Sequence, residues 1–92
     1  MDVKQAVDAA KKYVAELFSN EGVVNLGLEE VEFDDQTGMW NVTVGFSRPW
    51  DKPYGGIASI GQIVSMPRTY KVVKVQDVSG RVVSVKGRET KG

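Results

Sequence analysis

A chain of 92 residues has room for one small domain, because a chain of this size buries a single hydrophobic core. Apolar residues make up 41% and charged residues 26%, which is typical of a globular domain and excludes a disordered chain. The sequence contains no cysteine and no histidine, which excludes disulfides, thiolate metal sites and catalysis by a histidine base. These absences argue against an enzyme, and we expect no cofactor.

The net charge is zero, but the charges are divided between the two halves of the chain. Residues 1–46 carry three Lys and nine Asp or Glu, whereas residues 47–92 carry nine Lys or Arg and three Asp or Glu. If strands from the two halves pair, opposite charges face each other across the sheet. The zero net charge and the acidic half argue against nucleic acid as a partner, because an acidic surface repels phosphate.

Apolar residues recur at helical spacing near the N-terminus. They are Val3, Ala6, Val7, Ala10, Tyr13, Val14, Leu17 and Phe18. This spacing predicts an amphipathic helix over about residues 2–20. We expect Asp2 to cap the helix, Gln5 to complete a capping box, and Gly22 to end the helix in the left-handed conformation.

Residues 28–47 are predicted to form a hairpin around an Asp-x-Thr-Gly turn, preceded by a connector at residues 22–27. In the turn, the Asp35 carboxylate is expected to accept backbone N–H bonds, and Gly38 supplies the positive φ. Period-two alternation predicts one buried strand face. The residues of that face are Trp40, Val42, Val44 and Phe46. Trp40 is the largest of them and is predicted to occupy the centre of the core.

The same outline returns at residues 69–86, around an Asp-x-Ser-Gly turn that begins at Asp77. Residues 87–92 are polar and are predicted to form a tail. One helix followed by two hairpins predicts an α+β domain that spans residues 1–92. In this domain the helix packs on one face of a four-stranded antiparallel sheet.

Residues 48–68 interrupt the strand pattern with proline, glycine and aromatic residues. A connector of this length is unusual in a small domain and is often functional. Aromatic residues and arginine are enriched where proteins bind each other. The candidate partner-binding residues are Arg48, Trp50, Tyr54, Ile57 and Ile60. An alternative interpretation is that Trp50 and Tyr54 fold back as a lid over the helix–sheet core.

A run of carboxylates precedes the first turn: Glu29, Glu30, Glu32, Asp34 and Asp35. Calcium sites need several converging oxygen ligands. Strand alternation instead sends Glu30 and Glu32 to one face of the sheet, and the spacing of an EF-hand loop is missing. We interpret the run as a solvated strand face plus turn residues, and we predict no metal site.

The order of these elements resembles the PepSY domain. Trp40–Val44 fits the family pattern Trp-x-Val-x-Val, and Val75–Val82 is similar to its later Val- and Asp-containing turn motif. The resemblance covers most of the chain except residues 47–68 and implies a cystatin-like helix-on-sheet architecture with a binding or inhibitory role. It implies no catalytic residues. Gln62–Met66 is also similar to the cystatin inhibitory loop Gln-x-Val-x-Gly, with Met66 in place of the glycine.

The sequence therefore predicts a non-enzymatic protein-binding or regulatory module that uses residues 48–66 to contact another protein or a second copy. Two alternatives stay open. One is a small-ligand pocket or an enzyme of the helix-on-curved-sheet type. The other is a self-assembling structural component in which an unpaired edge such as Thr69–Gln76 pairs between chains. No apolar run is long enough to span a membrane and no signal peptide is visible, so we expect a cytoplasmic location.

Overall fold

The computed structural model describes residues 1–48 and 68–88. Helix α1 spans Val3–Leu17, and a short 3-10 turn follows at Ser19–Glu21. The four strands are β1 (Val24–Asp34), β2 (Met39–Ser47), β3 (Thr69–Gln76) and β4 (Val82–Gly87). They form one antiparallel sheet in the order β1-β2-β3-β4, and α1 packs on one of its faces. The predicted α+β class is confirmed.

Both ends of α1 are built from local hydrogen bonds. The backbone N–H of Gln5 donates to Asp2 Oδ1 over 2.8 Å, and the N–H of Asp2 donates to Gln5 Oε1 over 2.9 Å. This confirms the capping box. The helix ends at Leu17, before the predicted end near residue 20, because the chain tightens into the 3-10 turn. Gly22 closes that turn in the left-handed conformation, with φ 64°.

The core lies between α1 and the two central strands. Its fully buried side chains are Ala6, Ala10 and Val14 from α1, Val42, Val44 and Phe46 from β2, and Val73 and Val75 from β3. The helical residues lie four apart and are small, so the helix backbone can approach the sheet closely. Phe46 is the largest buried side chain, and its ring centroid lies 5.5 Å from that of Phe18. The predicted buried positions 42, 44 and 46 are confirmed.

Trp40 does not occupy the centre of the core, so that prediction was wrong. Its ring is partly buried at the turn end of the sheet, 4.9 Å from the ring of Phe33 between centroids. Its Nε1 donates to Asp77 Oδ1 over 2.8 Å. An indole N–H needs an acceptor when it is buried, and Asp77 supplies one at this end of the sheet. The phenyl ring of Phe46, near the opposite end of β2, has no such need and is fully buried.

The two hairpin turns have the same backbone geometry. Gly38 N–H donates to the Asp34 carbonyl over 2.9 Å, and Gly80 N–H donates to the Gln76 carbonyl over 2.8 Å. Both glycines have positive φ, 70° and 72°, as the sequence predicted. The turns also contact each other, because Asp77 N–H donates to the Gly38 carbonyl over 3.0 Å.

The side chains that cap these turns differ from the predicted ones. In the first turn Asp34, one residue before Asp35, accepts the backbone N–H of Gln36 over 3.0 Å. In the second turn Ser79 Oγ accepts the N–H of Arg81 over 3.2 Å. Asp34 is the last residue of β1, so its carboxylate reaches forward over the turn that follows.

β1 begins at Val24, so most of the predicted connector at residues 22–27 is strand. The β1–β2 register shifts between Val24 and Gly27 and again between Leu28 and Glu30. Such bulges break the period-two alternation by which a strand is recognised in a sequence. At the other edge, Gly87 ends β4 and does not begin a tail.

β3 lies inside the sheet, paired with β2 on one side and β4 on the other. The prediction that Thr69–Gln76 is an unpaired edge was therefore wrong. Among the strands that the structure describes, β1 and β4 are the edges of the sheet.

We expect Phe46→Ala to lower the free energy of unfolding by about 3–5 kcal/mol, because it removes a fully buried ring and leaves a cavity. Val78→Ala is the control: its side chain is 90% exposed, so the change should stay within about 0.5 kcal/mol. Urea unfolding followed by circular dichroism measures both. A loss below about 1 kcal/mol for Phe46→Ala would contradict this account of the core.

Candidate functional site

The candidate functional site lies at the end of the sheet opposite the two hairpin turns. β2 ends there at Ser47, β3 begins there at Thr69, and Phe46 pairs directly with Thr69. The connection between β2 and β3 therefore leaves and rejoins the scaffold at neighbouring central strands. Of the predicted partner-binding residues, Arg48 lies on this scaffold. Trp50, Tyr54, Ile57 and Ile60 lie outside the described residues.

Arg48 joins three parts of the fold at the start of the connection. Its Nη1 lies 3.0 Å from Glu21 Oε1 in the 3-10 turn, and its Nη2 donates to Thr69 Oγ1 at the start of β3 over 3.1 Å. The guanidinium carbon lies 5.6 Å from the centroid of the Phe46 ring. The side chain thus contacts the helix end, β2 and β3 together.

Arg68 anchors the other end of the connection, next to a pair of glycines. Its Nη2 lies 3.5 Å from Glu29 Oε2 of β1. Gly27 and Gly45 face each other in β1 and β2, and neither has a side chain to obstruct the guanidinium. A Cβ atom on Gly45 would lie 2.9 Å from Arg68 Nη2 and 3.1 Å from its Nε. The space above Gly45 is therefore filled by the arginine.

Both ion pairs join the acidic first half of the chain to the basic second half, as the charge distribution predicted. Their side chains are 20–35% exposed, and exposed pairs contribute roughly 0–1 kcal/mol each. Their main effect is therefore on position: they fix where the connection begins and ends. Glu21, Glu29, Thr69 and Arg68 were not predicted as part of a site. The sequence feature that could have indicated this site is the presence of Gly27 and Gly45, because a glycine inside a strand often marks a place where another group approaches the backbone closely.

A groove of about 270 Å³ crosses the face of the sheet that α1 leaves open. It is lined by Glu30, Glu32, Asn41, Thr43, Val72 and Arg88. Small-molecule pockets usually measure about 300–1,000 Å³, so this groove is small for that use, and five of its six lining residues are polar. Its carboxylates come from β1 and its guanidinium follows β4, so the face is acidic at one edge and basic at the other.

A second groove, of about 380 Å³, lies on the helix side between the start of α1 and β1. It is lined by Val3, Lys4, Val7, Asp8 and Leu28. Val3 and Leu28 are each 44% exposed, so the apolar stripe of α1 is wider than the part that the sheet covers. The groove is open to solvent along β1.

The carboxylates of residues 29–35 are spread along β1 and its turn. Within residues 1–48 and 68–88, no group of three or more acidic side chains converges as a cation site requires. Glu29 pairs with Arg68, and Asp34 caps the first turn.

A third polar cluster lies at the turn end of the sheet, around Asp77. Its Oδ1 accepts the Trp40 indole N–H over 2.8 Å and lies 3.2 Å from the α-ammonium group of Met1. The Trp40 hydrogen bond lowers the pKa of the Asp77 carboxyl, and the hydrogen bond and charge of the ammonium group lower it further. This cluster ties the start of α1 and β2 to the second hairpin turn.

Comparison with protein-family models, with curated proteins and with solved structures finds no match for this chain. The resemblance to the PepSY domain therefore stays a prediction. Among the described residues, no helix combines the length and the apolar character needed to cross a bilayer.

Gly45→Ala is expected to displace the Arg68 side chain, because the new Cβ would lie within 3.1 Å of Arg68 Nε and Glu29 Oε2. The Nε–Hε signal of Arg68 in a ¹⁵N NMR spectrum should shift and broaden. Gly27→Ala is the matched control, because its Cβ would meet Arg68 at 3.9 Å, an ordinary contact. Equal effects of the two substitutions on that signal would contradict the described position of Arg68.

Trp40→Phe should raise the pKa of Asp77 toward its ordinary value of 3.8, because it removes the indole donor. Folding lowers the pKa of Asp77, so the ionised carboxylate stabilises the folded state. This stabilisation is complete at a pH above the pKa that Asp77 has in the unfolded chain, and it is lost as the pH falls through the lower pKa that Asp77 has in the folded protein. The substitution should therefore make unfolding less dependent on pH below about 4. NMR titration of the Asp77 carboxyl measures the shift directly.

Phe33→Leu is the control for this experiment, because it changes the ring packed on Trp40 and keeps the indole donor. It should leave the pKa of Asp77 low. An unchanged Asp77 pKa in Trp40→Phe would show that the indole hydrogen bond is not its cause.

Proposed function

We propose that this chain is a non-enzymatic protein-binding or regulatory module whose contact surface is the connection between β2 and β3. The observation that carries the proposal is the anchoring of both ends of that connection by arginines. Arg48 is held by Glu21 and Thr69, and Arg68 is held by Glu29 over the glycine pair. Rigid scaffolds that position irregular segments are the usual way in which proteins present binding surfaces.

Anchored ends favour binding for a thermodynamic reason. A segment that becomes ordered on binding loses conformational entropy, and this loss reduces the affinity. When both ends are already fixed on neighbouring strands, fewer backbone conformations remain to be lost. Phe46 and Thr69, which flank the connection in the sheet, belong to the two strands that carry the core. The base of the proposed surface is thus the most buried part of the fold.

The composition of the connection supports a protein partner. Within residues 48–60 the sequence supplies Arg48, Trp50 and Tyr54, of the residue types that contribute most to protein–protein affinity, together with the apolar residues Ile57 and Ile60. Arg48 contacts the scaffold through its guanidinium, so we assign it the role of a positioning residue at the edge of the surface. The partner in this proposal is another protein or a second copy of the chain.

The residues that the sequence lacks support a non-enzymatic role. Without histidine or cysteine, general acid–base and nucleophilic chemistry would depend on carboxylates, lysines and hydroxyl groups. In the described part of the chain, the acidic side chains that contact a partner group do so in turns, caps and ion pairs. Those contacts serve the fold, which supports a binding role over a catalytic one.

The test compares the wild-type chain with a Trp50→Ala/Tyr54→Ala variant in an affinity capture quantified by mass spectrometry. We expect the variant to lose the proteins that the wild type enriches and to keep its circular dichroism spectrum and melting temperature. Tyr13→Ala is the matched control, because Tyr13 is an aromatic residue 41% exposed on α1, far along the chain from the connection.

Deleting residues 51–61 provides a stronger version of the same test. Retained folding with loss of capture is the expected result, since both anchoring arginines stay in place. Equal capture by the wild type and both variants would place the contact surface elsewhere. Loss of folding in the deletion variant would show instead that the connection is part of the core, as a lid over the sheet would be.

A further inference from the structure

The sheet has two edges of opposite charge. β1 carries Glu29, Glu30, Glu32 and Asp34 and no basic residue. β4 and the residues on either side of it carry Arg81, Lys86 and Arg88 and no acidic residue. The strand order places these two edges on opposite sides of the sheet. The uneven charge of the chain is therefore expressed in the fold as an acidic edge and a basic edge.

The directions of the two edge strands are compatible with each other. All neighbouring strands are antiparallel, and the sheet has four strands, so β1 and β4 run in opposite directions. If β4 of one copy lies beside β1 of a second copy in the same orientation, the new pair is antiparallel. The helices of both copies then lie on the same face of the continuous sheet.

We propose that this chain associates head to tail with copies of itself, by pairing of β4 in one copy with β1 in the next. This surface lies on β1 and β4, whereas the connection begins on β2 and ends on β3, and the proposal does not depend on the proposed function. The partner is a second copy because each edge carries the charge that the other lacks. Pairing β1 with β1 would bring carboxylates together, and pairing β4 with β4 would bring cations together, which is unfavourable in both cases.

The register follows from the rows of paired residues that already cross the sheet. One row runs Glu30, Thr43, Val72, Lys86, and the next runs Val31, Val42, Val73, Val85. Continuing both rows into a second copy places Lys86 opposite the neighbour's Glu30 on the open face. It places Val85 opposite the neighbour's Val31 on the helix face. One register therefore forms an ion pair and extends a row of valines.

Irregularities in the edge strands limit the length of the interface. The β1 register is shifted before Glu30, so regular pairing is available from Glu30 to Asp34. The β3–β4 register is shifted between the pairs at Val82 and Ser84. Bulges and charges are the devices by which edge strands avoid indiscriminate pairing. In this sheet the bulges leave only a short regular segment, Glu30–Asp34 of β1, that can pair with an edge of opposite charge. Because the interface is short, we expect weak association that depends on concentration.

The helices leave room for this arrangement. Four strands about 4.8 Å apart give a repeat of roughly 19 Å, and a helix with its side chains is about 10–12 Å wide. Phe33 and Val83, which are 41% and 51% exposed on β1 and β4, become partly covered at each junction. Because this interface joins two different surfaces, it leaves a free edge at each end, and the assembly grows as an open series.

The test is sedimentation velocity over a wide concentration range, at low and at high NaCl concentration. The wild type should form a series of species that grows with concentration and recedes at high salt. Glu30→Lys and Lys86→Glu should each weaken association by about tenfold, because each turns an attractive cross-strand pair into a repulsive one. Glu16→Lys and Lys12→Glu on the exposed side of α1 are the matched charge controls and should leave association unchanged.

Two further samples identify the interface as head to tail. The double variant Glu30→Lys/Lys86→Glu restores opposite charges and should associate like the wild type. An equimolar mixture of the two single variants should also associate, because Lys86 of one chain then meets Glu30 of the other. An interface between identical edges predicts no rescue in the double variant, and in the mixture it predicts closed dimers rather than a series of species that grows with concentration.

The proposal is overturned if the wild type stays monomeric at every concentration, or if association is insensitive to the single charge reversals. It is also overturned if the two reversed chains fail to associate when mixed. The Trp50→Ala/Tyr54→Ala variant should associate like the wild type. Loss of association in that variant would place the self-contact in the connection and refute the edge pairing, whatever the result of the capture experiment.

Discussion

The contact between the small-residue row of α1 and the two central strands is the interaction on which the rest of this structure depends. Ala6, Ala10 and Val14 lie over the valines of β2 and β3, and Phe46 packs against Phe18 near the end of β2. Because α1 is narrower than four strands, it buries the apolar side chains of the central strands β2 and β3 fully and those of β1 and β4 only in part. The central strands become rigid supports, and the edges keep exposed apolar side chains.

The two ends of the sheet also differ from each other. At the turn end, Trp40 and Asp77 form a polar cluster around the start of α1. At the other end, the most buried strands present the β2–β3 connection between two anchored arginines. This second end gives the proposed contact surface fixed end points, because Arg48 and Arg68 are held there by Glu21, Thr69 and Glu29.

The features that could be predicted from the sequence are those that depend on interactions between residues close together in the chain. The capping box of Asp2 and Gln5 needs four consecutive residues, and each hairpin turn needs one glycine in the left-handed conformation. The start of β1 could not be predicted in this way, because its bulges are defined only by pairing with β2. The position of Trp40 was missed for a related reason: ring size favours the centre, whereas its N–H requires an acceptor that lies 37 residues away.

The candidate site was predictable only in part. The composition of residues 48–66 indicated the segment, and Arg48 was named within it. The roles of Glu21, Glu29 and Arg68 depend on which residues the fold brings together. Gly27 and Gly45 become a pair only when the register is known, and only then does the room for a guanidinium above them become evident.

The pairing of Phe46 with Thr69 has a consequence for the tolerance of this fold to change. The ends of the connection are already adjacent, so the scaffold fixes the distance that any insert must span. Each doubling of loop length costs only about 0.6 kcal/mol in loop-closure entropy, against a total stability of about 5–15 kcal/mol for a typical domain. On loop-closure entropy alone, we therefore expect inserts of different length between Arg48 and Arg68 to be tolerated.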